Sequence, residues 1–111
     1  MKNDELFEQL NVFYEEDPTD PFNVYSLALA YVERDLNQAL RLFDELLHKH
    51  KEYLPTYYHA AQVLVALEQN EKALGVLEAG IALANRQQNT KTLRELRASK
   101  QALEDDLSAL D

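Results

Sequence analysis

A chain of 111 residues with 46% hydrophobic content is the size of one domain with a continuous core, and only two Gly and three Pro argue against a loop-rich or β fold. The absence of cysteine excludes disulfides, thiolate metal sites and cysteine nucleophiles at once. The formal net charge of −9, with seven acids and one base in residues 1–20 against thirteen acids and ten bases in the other 91, disfavours nucleic-acid backbones and anionic membrane surfaces.

The first segment, Asn3–Glu16, carries Leu6, Phe7, Leu10, Phe13 and Tyr14 on one helical stripe. Asn3 or Asp4 is placed to cap it, and the early acids suit the positive end of the helix dipole. Asp17-Pro18-Thr19-Asp20-Pro21 ends it, because Pro18 disfavours helical geometry at Asp17. Asp20 and Pro21 then form an N-cap and first residue for a second helix, about Phe22–Glu33. That helix is apolar on two faces, Val24, Leu27, Ala28 and Tyr31 on one and Tyr25, Leu29 and Val32 on the other, as expected of a helix that is sandwiched or lines a groove.

A tight turn at Arg34-Asp35-Leu36 leads to a third helix, capped by Asn37 and running to about His50. After a connector at Lys51–Leu54, Pro55 opens a fourth helix ending near Gln69, with Tyr57, Ala60, Ala61 and Leu64 inward and Tyr58, Gln62 and Val65 on the other face. Asn70 caps a fifth helix whose inner stripe is Ala73, Leu74, Val76, Leu77, Gly80, Ile81 and Ala84. A polar break at Asn85–Asn89 precedes a last helix, about Thr90–Ala109, opened by a capping box of Thr92 and Glu95. Nothing alternates with period two over a useful length, so the expectation is all-α: a right-handed stack of antiparallel helix pairs, about six helices in all.

A period runs through this order. Asn37-Gln38-Ala39-Leu40 recurs as Glu71-Lys72-Ala73-Leu74, and both Ala39 to Ala73 and Pro21 to Pro55 are separated by 34 residues. A fixed period of this length marks stacked helix pairs. Val24, Leu27, Ala28, Tyr31, Ala39 and Phe43 in one copy, and Tyr57, Ala60, Ala61, Leu64, Ala73 and Leu77 in the next, resemble the pattern of the tetratricopeptide repeat (TPR) family. The small residues let paired helices approach, and the large ones fill the spaces between. The leading Trp is replaced in both copies, Ala stands for Gly, the spacing from Tyr31 to Ala39 is one residue short, and Lys51 and Asn85 stand where a closing Pro is usual. On this reading 1–20 is an N-terminal half-repeat, 21–54 and 55–88 are two repeats, and 89–111 is a C-terminal capping helix, all within one domain.

The resemblance implies a non-catalytic protein-interaction module or scaffold that takes a peptide or helix of a partner protein in a concave groove. Projection onto the first helix of each pair places Tyr25, Leu29 and Val32 there, with Tyr58, Gln62 and Val65 from the second copy. Some members of the family grip acidic chaperone tails through a clamp of Lys, Arg and Asn. The matching positions here, Tyr25, Ser26, Leu29, Tyr58, His59 and Gln62, hold no Lys or Arg to pair with a carboxylate, so that clamp is rejected.

His48 and His50 are two residues apart, the wrong spacing for a helical metal pair, and His59 stands alone between Tyr58 and Ala60. No phosphate loop, nucleophile elbow or carboxylate constellation is present, so the sequence implies no catalytic residue, cofactor or metal. The first residues show no basic start followed by an apolar run, and a cytoplasmic protein is expected. The competing expectation is a structural subunit or homodimer assembling through the last helix, where Leu93 and Leu107, and Leu96, Leu103 and Leu110, follow seven-residue spacing interrupted by Lys100.

Overall fold

The computed structural model describes residues 2–110, and for Lys2 the backbone alone. Six α-helices account for nearly all of it: α1 (Lys2–Glu16), α2 (Pro21–Tyr31), α3 (Leu36–Lys49), α4 (Pro55–Ala66), α5 (Asn70–Arg86) and α6 (Thr90–Ser108). There is no strand among the described residues. The chain divides into two compact units, Met1–Thr56 and Tyr57–Asp111, the division falling in the first turn of α4.

In the first unit α2 packs against both α1 and α3. Val24, Leu27 and Ala28 of α2 and Ala39, Leu42, Phe43 and Leu46 of α3 are buried. Alanine at 28 and 39 keeps the side chains small where the helices approach, and Phe43 fills the space beside them. Asp20 caps α2 as its sequence implies, its carboxylate accepting the Phe22 N–H at 2.9 Å. The cap of α3 is Asp35 and not Asn37: the Asp35 carboxylate accepts the N–H groups of Asn37 and Gln38 at 3.1 and 3.3 Å, so the helix starts at Leu36 and the turn before it is shorter than expected. α1 is tied down at both ends. The Asn23 amide donates to the carbonyls of Phe13 and Asp17, and Arg34 reaches back to the Asp4 carboxylate at 2.9 Å while stacking 4.1 Å above the Phe7 ring.

In the second unit the buried stripe runs through Tyr57, Ala60, Ala61 and Leu64 of α4, Ala73, Leu77, Gly80 and Ala84 of α5, and Leu96 and Leu103 of α6. At Gly80 residues of α4 and α6 press close on α5: a Cβ there would lie 2.7 Å from the Tyr57 Cβ and 3.2 Å from Leu96 Cδ1. Both connections in this unit are built alike. The N–H of Glu68 bonds to the Val65 carbonyl and that of Gln69 to Leu64, and Gln88 and Asn89 repeat this with Asn85 and Ala84. These are Schellman closures, with Glu68 (φ 61°) and Gln88 (φ 57°) in the left-handed position.

The closures explain where the helix limits depart from the sequence reading. α4 stops at Ala66 and not near Gln69, since Leu67–Gln69 form the turn, and α5 then begins at Asn70 with no side-chain cap at Gln69. α5 continues through Asn85 and Arg86, because its closure is made by Gln88 and Asn89. Asn89 serves twice: its side chain also accepts the Thr92 N–H at 3.0 Å and caps α6, three residues ahead of the expected Thr92–Glu95 box.

Candidate functional site

The second unit holds a hollow of about 410 Å³ between α4 and α6, floored by Ala61, Leu77 and Leu103. Tyr58, Gln62, Val65 and Ala66 form one wall, placed there by the i, i+4, i+7 spacing of α4, and Ser99, Ala102 and Asp106 of α6 form the other. All three second-copy residues expected from the sequence therefore meet in one concavity. The α6 wall is what the sequence reading missed. Its signal was the run of small and polar residues at i, i+3 and i+7, which reads as a solvent face until a partner helix lies opposite.

The chemistry of the hollow is apolar with a fixed polar point. The Gln62 side-chain amide donates to the Tyr58 hydroxyl at 2.8 Å, an i, i+4 pair that holds both side chains along the wall. The Tyr58 ring stands edge-on to His59, with centroids 5.2 Å apart at 88°. His59 is half-buried, and burial lowers its pKa below 6.5, so the neutral imidazole is favoured. A second concavity adjoins at Tyr58, bounded by Glu95, Ala98, Ser99 and Ala102. Acids stand at both borders, Glu95 and Asp106, and no Lys or Arg lines either space.

The first-copy residues are arranged differently. The Tyr25 ring packs edge-on to Tyr53, with centroids 5.6 Å apart at 62°, and burial, then the neighbouring Tyr53, raises the pKa of its phenol. Leu29 lies in a separate hollow of about 710 Å³ shared with Leu6 and Phe7 of α1. Val32 is half-buried at the C-terminal cap of α2. Of the other histidines, His48 is exposed with Nδ1 2.7 Å from the Asp44 carbonyl, and His50 closes α3.

Helix pairs with small residues at the crossing, closed by short turns and leaving an apolar concavity beside the first helix of a pair, define a helical-repeat protein of the interaction type. A solution structure of a tetratricopeptide repeat domain protein from Salinibacter ruber is similar at 34% identity and a TM-score of 0.76, over 80% of this chain and 91% of that one. A crystal structure of a tetratricopeptide repeat domain protein from the same organism matches at 32% identity and a TM-score of 0.73, over 77% of this chain and 97% of that one. The chain belongs to the tetratricopeptide repeat family. The fold also matches the TPR2B domain of yeast Sti1, in a structure of its complex with pHsp70, with a TM-score of 0.86 at 15% identity over 95% of this chain and 85% of that one. No family model and no curated protein matches the chain.

Proposed function

We propose that this protein is a non-catalytic interaction module of the cytoplasm that holds a peptide or helix of a partner protein, acting as a scaffold and binding neither nucleic acid nor membrane. In this reading 21–54 and 55–88 are its two repeats, flanked by the half-unit 1–20 and the closing helix 89–111. Tyr25, Leu29, Val32, Tyr58, Gln62 and Val65 are the residues that touch the partner. The observation that carries the reading is the α4–α6 hollow, an apolar concavity walled by a tyrosine already held in place by Gln62. A rigid aromatic fixed before binding buries area at low entropic cost. The Sti1 domain of like fold is seen in complex with pHsp70, which supports a protein or peptide as the class of partner. The borders here carry Glu95 and Asp106 and no base, so the peptide is neutral or basic and apolar at its anchor.

The alternative, assembly of like subunits through α6, has less support. Leu96 and Leu103 are 0% and 7% exposed and already spent inside the second unit, which leaves Leu110 as the exposed member of that series. The test is selection from a phage-displayed random peptide library on the intact chain, followed by titration of the selected peptides against Tyr25→Ala and Tyr58→Ala variants. Loss of tenfold or more in affinity for Tyr58→Ala is expected, of the order seen for anchor aromatics. Undiminished binding by folded variants would remove the groove assignment.

A further inference from the structure

A second surface, on the first unit, carries apolar groups that do not line the α4–α6 hollow, Leu29 among them. Leu6 and Phe13 lie two turns apart on one face of α1 and are 55% and 46% exposed. Phe22 and Leu29 lie two turns apart on one face of α2, Phe22 61% exposed and Leu29 half-buried. Seven-residue spacing keeps each pair on one face of its helix, and Leu6 and Leu29 meet in one hollow, so the two faces border a common furrow. At one end Leu6, Leu29 and Ala30 line the hollow of about 710 Å³, and at the other the Asn23 amide bonds to the Phe13 carbonyl at 3.2 Å. Each pair spans about 10 Å of helix axis, close to two turns of a third helix laid between them. Two apolar ridges with seven-residue spacing accept an apolar stripe of the same repeat.

The charge around the furrow says what that third helix carries. Residues 1–33 hold eight acids and one base, Lys2, and the next cation, Arg34, is already paired with Asp4. Glu5, Gln9 and Glu16 form the exposed stripe beside Leu6 and Phe13, and Glu33 lines the hollow beside Leu29. A second copy seated here by its own α1–α2 surface would bring acid against acid. A helix with lysines or arginines flanking its apolar stripe meets opposite charge on both sides.

We propose that the α1–α2 furrow is a docking site for a basic amphipathic helix of a partner protein, its apolar residues against Leu6, Phe13, Phe22 and Leu29 and its cations against Glu5, Glu16 and Glu33. The probe is a labelled synthetic helix with leucine at every a and d heptad position and lysine elsewhere, titrated into the intact chain by fluorescence anisotropy. Two controls accompany it, a scrambled peptide of the same composition and a version with glutamate for lysine. The leucine–lysine helix binds, raising the salt weakens it, both controls bind at least tenfold more weakly, and Leu6→Ser/Phe13→Ser reduces its affinity at least tenfold. Phe22→Ser, at a more exposed position, does the same where the double variant loses helical circular dichroism. Tyr58→Ala leaves this affinity unchanged, so failure here is distinguishable from failure of the α4–α6 groove. Equal binding of the scrambled peptide, or an affinity untouched by the folded α1 and α2 variants, overturns the proposal. A wild-type dimer in sedimentation that Leu6→Ser/Phe13→Ser dissolves overturns it too, since the furrow then belongs to a second copy.

Discussion

Gly75 and Gly80 lie in the same helix, α5, and the same substitution at each is expected to change stability in opposite directions. Gly→Ala in a helix interior gains about 1 kcal/mol of propensity, because alanine has less backbone freedom to lose. At Gly75 a new Cβ meets nothing within 4 Å, so that gain is realised in full. At Gly80 the Cβ falls 2.7 Å from the Tyr57 Cβ and 3.1 Å from its Cγ. The Tyr57 Cβ is fixed by its backbone, so side-chain rotation does not clear the 2.7 Å contact, and relief requires α4 and α5 to separate. Overpacking of this kind costs about 1–3 kcal/mol, which leaves Gly80→Ala less stable than the parent by roughly 0–2 kcal/mol. The two variants should therefore differ by about 1–3 kcal/mol, or roughly 4–12 °C in Tm at about 4 °C per kcal/mol. Thermal unfolding followed by circular dichroism at matched concentration measures the difference. A Gly80→Ala protein as stable as Gly75→Ala would refute the close approach of Tyr57, Gly80 and Leu96, and with it the packing of the second unit.

Asp35→Ala should cost about 1 kcal/mol, because two N–H groups at the start of α3 lose their acceptor, whereas Asn37→Ala should stay within about 0.5 kcal/mol. Urea titration of the two variants distinguishes them, and the reverse order would restore Asn37 as the cap. Burial holds the His59 pKa below 6.5, so between its folded value and 6.5 the unfolded chain binds a proton that the folded chain does not. That contribution is present above 6.5 and is lost as pH falls through the folded value. The urea midpoint of the parent should accordingly drop further than that of His59→Gln on going from neutral to mildly acidic pH, and parallel curves would show that His59 titrates alike in both states.

The helices were legible because their apolar stripes are long and their spacing unambiguous, as in Leu42, Phe43 and Leu46 of α3. The 34-residue spacing of Ala39 and Ala73 led to the family for a related reason: small residues recur where helices cross. Helix ends were less legible. Asp35 and Asn37 are both competent caps, and only the path of the turn decides between them. Glu68 and Gln88 take the left-handed position that a sequence normally signals with glycine, so the closures after α4 and α5 left no mark. In the candidate site, the family resemblance implied a concavity, and the shared face of Tyr58, Gln62 and Val65 beside it followed from helical spacing. Ser99, Ala102 and Asp106 did not, since a wall of small and polar side chains is defined by what lies opposite. Leu29 shows the converse: its neighbours on α1 depend on tertiary contacts that a single helix does not encode.

The two Schellman closures carry a further consequence. A left-handed backbone at a side-chain-bearing residue costs about 1–2 kcal/mol, and among the described residues both such positions, Glu68 and Gln88, fall in the unit that contains the α4–α6 hollow. Neither residue lines that hollow. The second unit thus holds an unspent reserve of stability at its turns, away from that hollow. Glycine at these two positions would let the walls of the hollow absorb destabilising changes, so the turns set how far those walls can diverge before the helix pair comes apart.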